Sequence, residues 1–335
     1  MAVVMVLGVA GYAQDSEQSG AVKESLTDAD RSKFDELDKR PLHQMTNVDL
    51  AEHLSLRTKA ANNGVARASF RDEMALIAKR SIGQPYRLNA VQFDLAEGDC
   101  VSLVNRNLAM AVATDWPSYV RIIERLRHKD GIVDYKNRNF FTLGDWLPNN
   151  AWLLRDVTAE LGPADDHPAK EFTHVVRPKR FEETPAAPGS KFSRVVFLGS
   201  DYTSEVKEVR TDSYVPVAAL PWVAKDLETG DVLLILRRSS KGHLGCDHMG
   251  MVVVVEGKPM ILHSAPPRVK QEDLARFFAT HVWVVGFKCL RVREDAGETL
   301  RQEIDRMPST VRVPLPAEQD ASNTHLRLKR GNQAK

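Results

Sequence analysis

Cys100, His248 and His263 are the residues of this 335-residue chain whose types and spacing suit nucleophilic hydrolysis. Cys100 follows Gly98 and Asp99 and opens a run, residues 101–112, in which Val101, Val104, Leu108, Ala111 and Val112 share one helical face. A thiol at a helix N-terminus meets unpaired N–H groups and the positive end of the dipole. That placement predicts a thiol pKa lowered from about 8.5 into the range of roughly 3.5–7.5. The same N–H groups can hold a developing oxyanion. Asp99 is a favoured N-cap type for this helix. His248 starts "HMGMVVVV" and His263 ends "KPMILHSA". If residues 256–258 form a tight hairpin, the two histidines lie almost equally far from the turn and become neighbours across the strand pair. One imidazole can then take the thiol proton while the other orients it.

Taken singly, each residue has a plain structural reading, since cysteine packs well inside helices and a strand-end histidine is commonly a surface residue. Their combination at positions that one fold can join favours a Cys–His–His hydrolase. Cys246 and Asp247 raise a second chemistry. With Cys100, Cys289 and His263 they could supply zinc ligands, but none of the usual paired spacings is present. Cys246 and Cys289 therefore read as structural, Cys289 as a strand core residue, and neither metal nor cofactor is expected.

The elements that must position these groups follow from periodicity. Thr46 caps a helix in "MTNVDLAEHL", with Asp49 three residues on. "SFRDEMALIAKRSIG" predicts a helix capped by Ser69 and stopped by Gly83. "WPSYVRIIERLRHKDG" predicts another, with Pro117 or Ser118 in its first turn and Gly131 past its end. From Ser193 the period becomes strand-like in "SRVVFLG", "DVLLILRRS", "HMGMVVVVEG", "KPMILHSA" and "HVWVVGFKCLRV", with a helix predicted at "KQEDLARFFAT". Residues 132–192 read as an irregular insertion. The order, helices and then an antiparallel sheet, makes the class α+β.

Composition narrows the function. The 46 basic residues balance 45 acidic ones, which argues against nucleic-acid binding. No stretch reaches the roughly 18 apolar residues of a membrane span. "AVVMVLGVAGYA" has the length of a signal-peptide apolar region but lacks its positive start. Residues 1–13 are expected to be a cleaved signal, exporting the protein to the periplasm, with a linker at 14–40. Three cysteines are too few for a disulfide framework. Residues 294–335, polar and basic, predict a disordered tail. The oligomeric state is not legible.

"IGQPYRL…GDCVSLVNRNLAMA" followed by "ETGDVLLIL…HMGMVVVVEGKPMILHSAP" resembles the NlpC-like superfamily of papain-fold cell-wall cysteine hydrolases. The insertion "RHKDGIVDYKNRNFFTLGDWLPNNAW" further resembles its N-acetylmuramoyl-L-alanine amidase-like branch, and the likeness runs from about Arg40 to Arg293. The resemblance implies a papain-like fold over residues 41–293, with N-terminal helices packed on an antiparallel sheet and a large insertion between nucleophile helix and sheet. It implies Cys100 as nucleophile, His248 as base and His263 as orienting partner. It places Tyr86 beside the nucleophile, and Arg138, Asn139 and Trp146 in the cleft wall. The chain departs from the pattern at Phe140 and Phe141, where a histidine and a tyrosine would follow Arg-Asn. The gap from Cys100 to His248 is also longer than in compact members.

The implied activity is cleavage of the amide joining N-acetylmuramic acid to L-alanine, through a thioester, in peptidoglycan or released muropeptides. The insertion's Tyr135, Phe140, Phe141, Trp146 and Trp152 suit the apolar side of a sugar, and Arg138 suits a stem carboxylate. The alternatives are a stem-peptide endopeptidase of the same superfamily, a non-catalytic wall-binding domain and, third, a metal hydrolase.

Overall fold

Local capping starts each of the first five helices. The computed structural model describes residues 25–65, 69–88, 93–163, 168–184, 194–307 and 313–333. The apolar N-terminal run lies outside them. Reciprocal capping boxes start α1 (Asp28–Lys39) at Thr27 and Asp30, and α2 (Asn47–Asn62) at Thr46 and Asp49. Ser69 accepts from Asp72 N at the start of α3 (Phe70–Ser81). Asp99 with Ser102 opens α4 (Cys100–Val112), and Asp115 with Ser118 opens α5 (Trp116–Arg127).

Strands β1 (Leu154–Asp156), β2 (Lys170–Val176), β3 (Lys179–Thr184), β4 (Arg194–Ser200) and β5 (Glu208–Pro216) come next. Then follow β6 (Val232–Arg238), β7 (Leu244–Val255), β8 (Lys258–Ala265), β9 (Arg268–Asp273) and β10 (Val284–Val292). Short helix α6 (Leu147–Asn149) precedes the strands, α7 (Leu220–Val223) and α8 (Leu274–Thr280) lie among them, and α9 (Ala296–Arg306) and α10 (Pro316–Gln333) follow. The main sheet is antiparallel, in the order β2-β5-β10-β6-β7-β8-β9, and β1 also pairs with β10. β3 and β4 form a separate hairpin.

The sheet is buried on both faces. Because strand side chains alternate, Val232, Leu234 and Leu236 of β6 join the helical core with Val104, Leu108 and Ile123, while Leu233 and Ile235 meet Phe277, Phe278 and Phe287 opposite. The α+β class is as expected, helices against an antiparallel sheet. Glu256 and Gly257, at φ 50° and 76°, make the two-residue turn that pairs Val255 with Lys258.

Several expectations need correction. α1 lies within the stretch read as linker; Leu37 alone of its side chains is buried, so no apolar stripe marked it. The insertion is not irregular: it carries β1, β2 and β3, and β2 extends the main sheet. "SRVVFLG" belongs to the β3–β4 hairpin rather than the main sheet. Lys270–Asp273 of the predicted helix "KQEDLARFFAT" complete strand β9, and the helix begins only at Leu274, capped by Asp273. The tail holds α9 and α10, anchored by buried Leu300 and Asn323. No described helix is long and apolar enough to cross a membrane.

Candidate active site

Cys100 is held by the loop in front of it as much as by its helix. Buried Arg106, one helical face along α4, donates to Asp94 O, to Glu97 O at 2.9 Å and to Gln84 Oε1 at 2.9 Å. A Cβ on Gly98 would collide with that guanidinium, so a side chain there would have to displace Arg106 from these contacts. Ser264 Oγ donates to Gly98 O at 2.7 Å, tying the loop in front of Cys100 to the strand that carries His263. Tyr86 is set beside the loop by Tyr86 N to Pro267 O at 2.9 Å and Gly98 N to Pro85 O at 3.0 Å.

A β-bulge aims His248. Ile235 pairs with His248 but Leu236 with Cys246, so Asp247 is the extra residue. In an unbroken strand, residues 246 and 248 would share a face. The bulge turns Cys246 toward the helical core, and its Sγ lies 3.2 Å from His248 O. His248 Nε2 lies 2.8 Å from His263 Nδ1, and His263 Nε2 lies 2.7 Å from Glu272 Oε1. Lys270 Nζ is 2.8 Å from the same carboxylate. Both imidazoles rest against Phe277.

The carboxylate sets the proton order. Glu272 is held below its usual range: burial opposes ionisation, but Lys270 and His263 together outweigh it. As an acceptor it receives a hydrogen bond from His263 Nε2–H, leaving Nδ1 to accept from His248 Nε2–H. The free lone pair of His248 is then on Nδ1. Burial, then His263, His281 and Lys270, press His248 down to about 3, and burial likewise lowers His263, so both rings are neutral at neutral pH.

The expectation of a lowered thiol pKa is overturned. Cys100 keeps partial access to solvent but is surrounded mostly by protein, and burial pushes its thiol up to about 11. The Asp99 carboxylate adds to this. Backbone N–H groups of Met249, Val101 and Cys100 pull the other way without winning. The N-cap that starts the helix thus also brings a negative charge to the thiol. Cys246 is pushed up to about 12 by burial and then by Cys100, and Cys289 is also pushed well up by burial.

Cys100 and His248 line one cavity of about 780 Å³, with Tyr86, Tyr135, Arg138, Phe140 and Phe197 also in its wall. The four expected binding residues differ in what they offer. Tyr86 is partly exposed beside Cys100; burial, and then the charge that Cys100 carries when ionised, raises the phenol pKa. The Arg138 guanidinium stands 5.4 Å from the Phe140 ring centre. Asn139 is committed internally, its Nδ2 to Leu126 O at 3.0 Å and its Oδ1 to Asn149 Nδ2 at 2.6 Å. Trp146 is 2% exposed and gives its Nε1–H to Asn105 at 3.0 Å, so it backs the wall and presents no stacking face.

Sequence reasoning missed Glu272, Arg127 and the aromatic pair Phe181 and Phe197. Glu272 sits in a stretch read as helix. The aromatics come from the β3–β4 hairpin, where Phe140 stacks on Phe197 at 4.0 Å and Tyr135 and Phe181 close the cluster. No described group of three or more His, Cys, Asp or Glu residues is arranged to hold a metal ion. Cys289 belongs to the core on the other face of the sheet from the cluster that Cys100 and Cys246 adjoin, so the zinc set considered above is not assembled.

An α+β protein with a thiol at a helix N-terminus and a strand-borne imidazole, itself paired to a second one, lining the same cavity fits the hydrolase class. The chain belongs to the AmiA-like family, described as N-acetylmuramoyl-L-alanine amidase-like, whose model matches residues 73–280. Protein LPG0564 of Legionella pneumophila has a similar fold, with TM-score 0.58 and 17% identity over 74% of this chain and 95% of that one. An N-acetylmuramoyl-L-alanine amidase from Bacteroides uniformis superposes with TM-score 0.50 and 19% identity, over 68% of this chain and 100% of its own. Curated protein sequences gave no match.

Proposed function

We propose that the protein is a cysteine-dependent amidase of papain-like, NlpC-type architecture that hydrolyses the bond between N-acetylmuramic acid and L-alanine. Family membership supports the amidase-like class and its peptidoglycan substrate. The observation that carries the mechanism is the chain His248–His263–Glu272, with contacts of 2.8 Å and 2.7 Å, leading from the cavity that holds Cys100.

Thiol and imidazole are both neutral at rest, so proton transfer accompanies attack. His248 Nδ1 takes the Cys100 proton as sulfur adds to the lactyl carbonyl carbon. The N–H groups at the start of α4 stabilise the oxyanion. His263, backed by the Glu272 carboxylate, stabilises the imidazolium. Collapse breaks the C–N bond, and His248 gives its proton to the departing alanine nitrogen. The lactyl thioester is then attacked by water, from which His248 removes a proton. The resulting tetrahedral intermediate expels the Cys100 sulfur, which recovers that proton, and the muramic carboxyl group is released.

The test is mass spectrometry of products from a defined disaccharide–peptide. A peptide-free sugar and an intact stem peptide are expected, with no turnover by Cys100→Ala. A sugar still bearing L-alanine and D-glutamate would overturn the bond assignment in favour of a stem-peptide endopeptidase. Normal activity in Cys100→Ala would overturn the nucleophile.

A further inference from the structure

The insertion starts by folding back on the helix before it. His128 and Arg138 form an antiparallel bridge, and Asn139 N donates to Arg127 O at 2.7 Å. This sets two guanidiniums, Arg127 and Arg138, on the wall of the cavity that holds Cys100. Among the described residues, the carboxylates of this region face other groups at contact distance, and Glu124 and Asp99 act on Arg127 only through their charge. Asp99 accepts from Ser102 N at 2.7 Å, and Glu124 faces His128 Nδ1 at 2.8 Å. Asp145 accepts from Phe140 N and Phe141 N and faces Lys179, while Asp247 pairs with Arg237 at 3.2 Å.

Two cations are therefore held in one cleft, and no described carboxylate forms an ion pair with either. Burial, followed by the charge of Arg138, holds the Arg127 guanidinium down to about 10. The charges of Glu124 and Asp99 reach Arg127 but are outweighed by burial and Arg138; a bound anion in direct contact relieves the rest. The planar fork of arginine matches a carboxylate bidentately, and Phe140 beneath Arg138 restricts how that fork can turn.

We infer that Arg127 and Arg138 together form an anion subsite that takes a carboxylate of an acidic peptide in the cleft beside Cys100. The inference rests on the hydrolase reading above and adds Arg127, whose position at the end of α5 carried no motif. Specificity is then divided along the cleft: thiol and histidines act on the amide, and the guanidinium pair selects an acidic stem.

Two measurements keep the subsite and the reaction separate. Calorimetry with Cys100→Ala protein should show L-alanyl-γ-D-glutamate binding more tightly than its diamide. Active enzyme should hydrolyse N-acetylmuramoyl-L-alanyl-D-glutamate in preference to the diamide by about tenfold or more in kcat/KM, mainly through KM. In Arg127→Gln and Arg138→Gln, each shown folded by thermal unfolding, that preference should collapse towards unity. Equal treatment of acid and diamide by the unmodified protein would overturn the subsite, as would Arg127→Gln keeping the preference. Tighter binding of inorganic phosphate than of the dipeptide would also overturn it. Binding of the acid without any hydrolysis would sink the reaction but leave the subsite standing. Hydrolysis without discrimination would remove the subsite alone.

Discussion

At Asp99 one carboxylate has two opposed effects. It accepts from Ser102 N at 2.7 Å, starting the helix that presents Cys100, and its charge helps raise the thiol pKa. Asparagine caps helices about as well as aspartate but carries no charge. Asp99→Asn should therefore keep the fold and lower the thiol pKa, so that alkylation at neutral pH becomes faster. In the unmodified protein the rate should climb with pH well beyond the ordinary thiol range, and Cys100 should still react ahead of Cys246 and Cys289. Iodoacetamide rates against pH, with labelled peptides located by mass spectrometry, check both points. A pH-independent rate near neutrality would mean a thiolate at rest and would remove the general-base step. Asp99 was legible in the sequence as the cap, and Cys100 as the candidate nucleophile. The direction of the pKa shift was not, because burial depends on what packs around the sulfur.

Strands β7, β8 and β9 work as a unit: the first carries His248, the second His263, the third Glu272. The hairpin between β7 and β8 was readable from Glu256-Gly257 and its two apolar flanks. β9 was not readable, since "RVKQED" is a polar edge strand with no alternation of apolar residues. Yet its Glu272 fixes which nitrogen of each histidine bears the proton. Glu272→Gln can still accept from His263 but no longer supplies a charge to stabilise the imidazolium. Turnover should fall by about tenfold to a hundredfold, the scale of one charged hydrogen bond, with KM and thermal midpoint little changed. Steady-state kinetics beside a melting curve decides this. A loss confined to KM would show that Glu272 contacts substrate instead.

For the whole molecule, the segment from α9 to α10 clasps α2 and α5. Asp320 on α10 accepts from Asn47 N at 2.9 Å and Val48 N at 3.3 Å, adding a distant carboxylate to the N-terminus of α2. Trp116 Nε1 donates to Pro314 O at 2.8 Å, and Arg125 pairs with Glu303 at 2.8 Å. These contacts draw in helices outside residues 73–280, the span matched by the family model. Asp320→Ala should cost about 0.5–2 kcal/mol, as loss of a cap does, read from urea unfolding. Turnover should persist, because none of the Asp320 contacts reaches the cleft. An unchanged urea midpoint would mean that α10 contributes no such clasp.

Sequence alone determined what depends on near neighbours: the caps Thr46, Ser69 and Asp99, the helix behind Cys100, the tight turn between the two histidine strands, and through them the candidate nucleophile and imidazoles. Each rests on a few consecutive residues whose backbone geometry and hydrogen bonds are local. Only the tertiary structure decided the rest. Arg127 meets Arg138 because a β-bridge folds the insertion back on α5, and Phe197 reaches Phe140 from a hairpin far along the chain. Trp146, an apparent ligand-stacking residue, is instead turned inward to Asn105. Hydrogen bonds and charges between distant segments set the site's proton order and its thiol pKa, and no periodicity along the chain encodes which segments those will be.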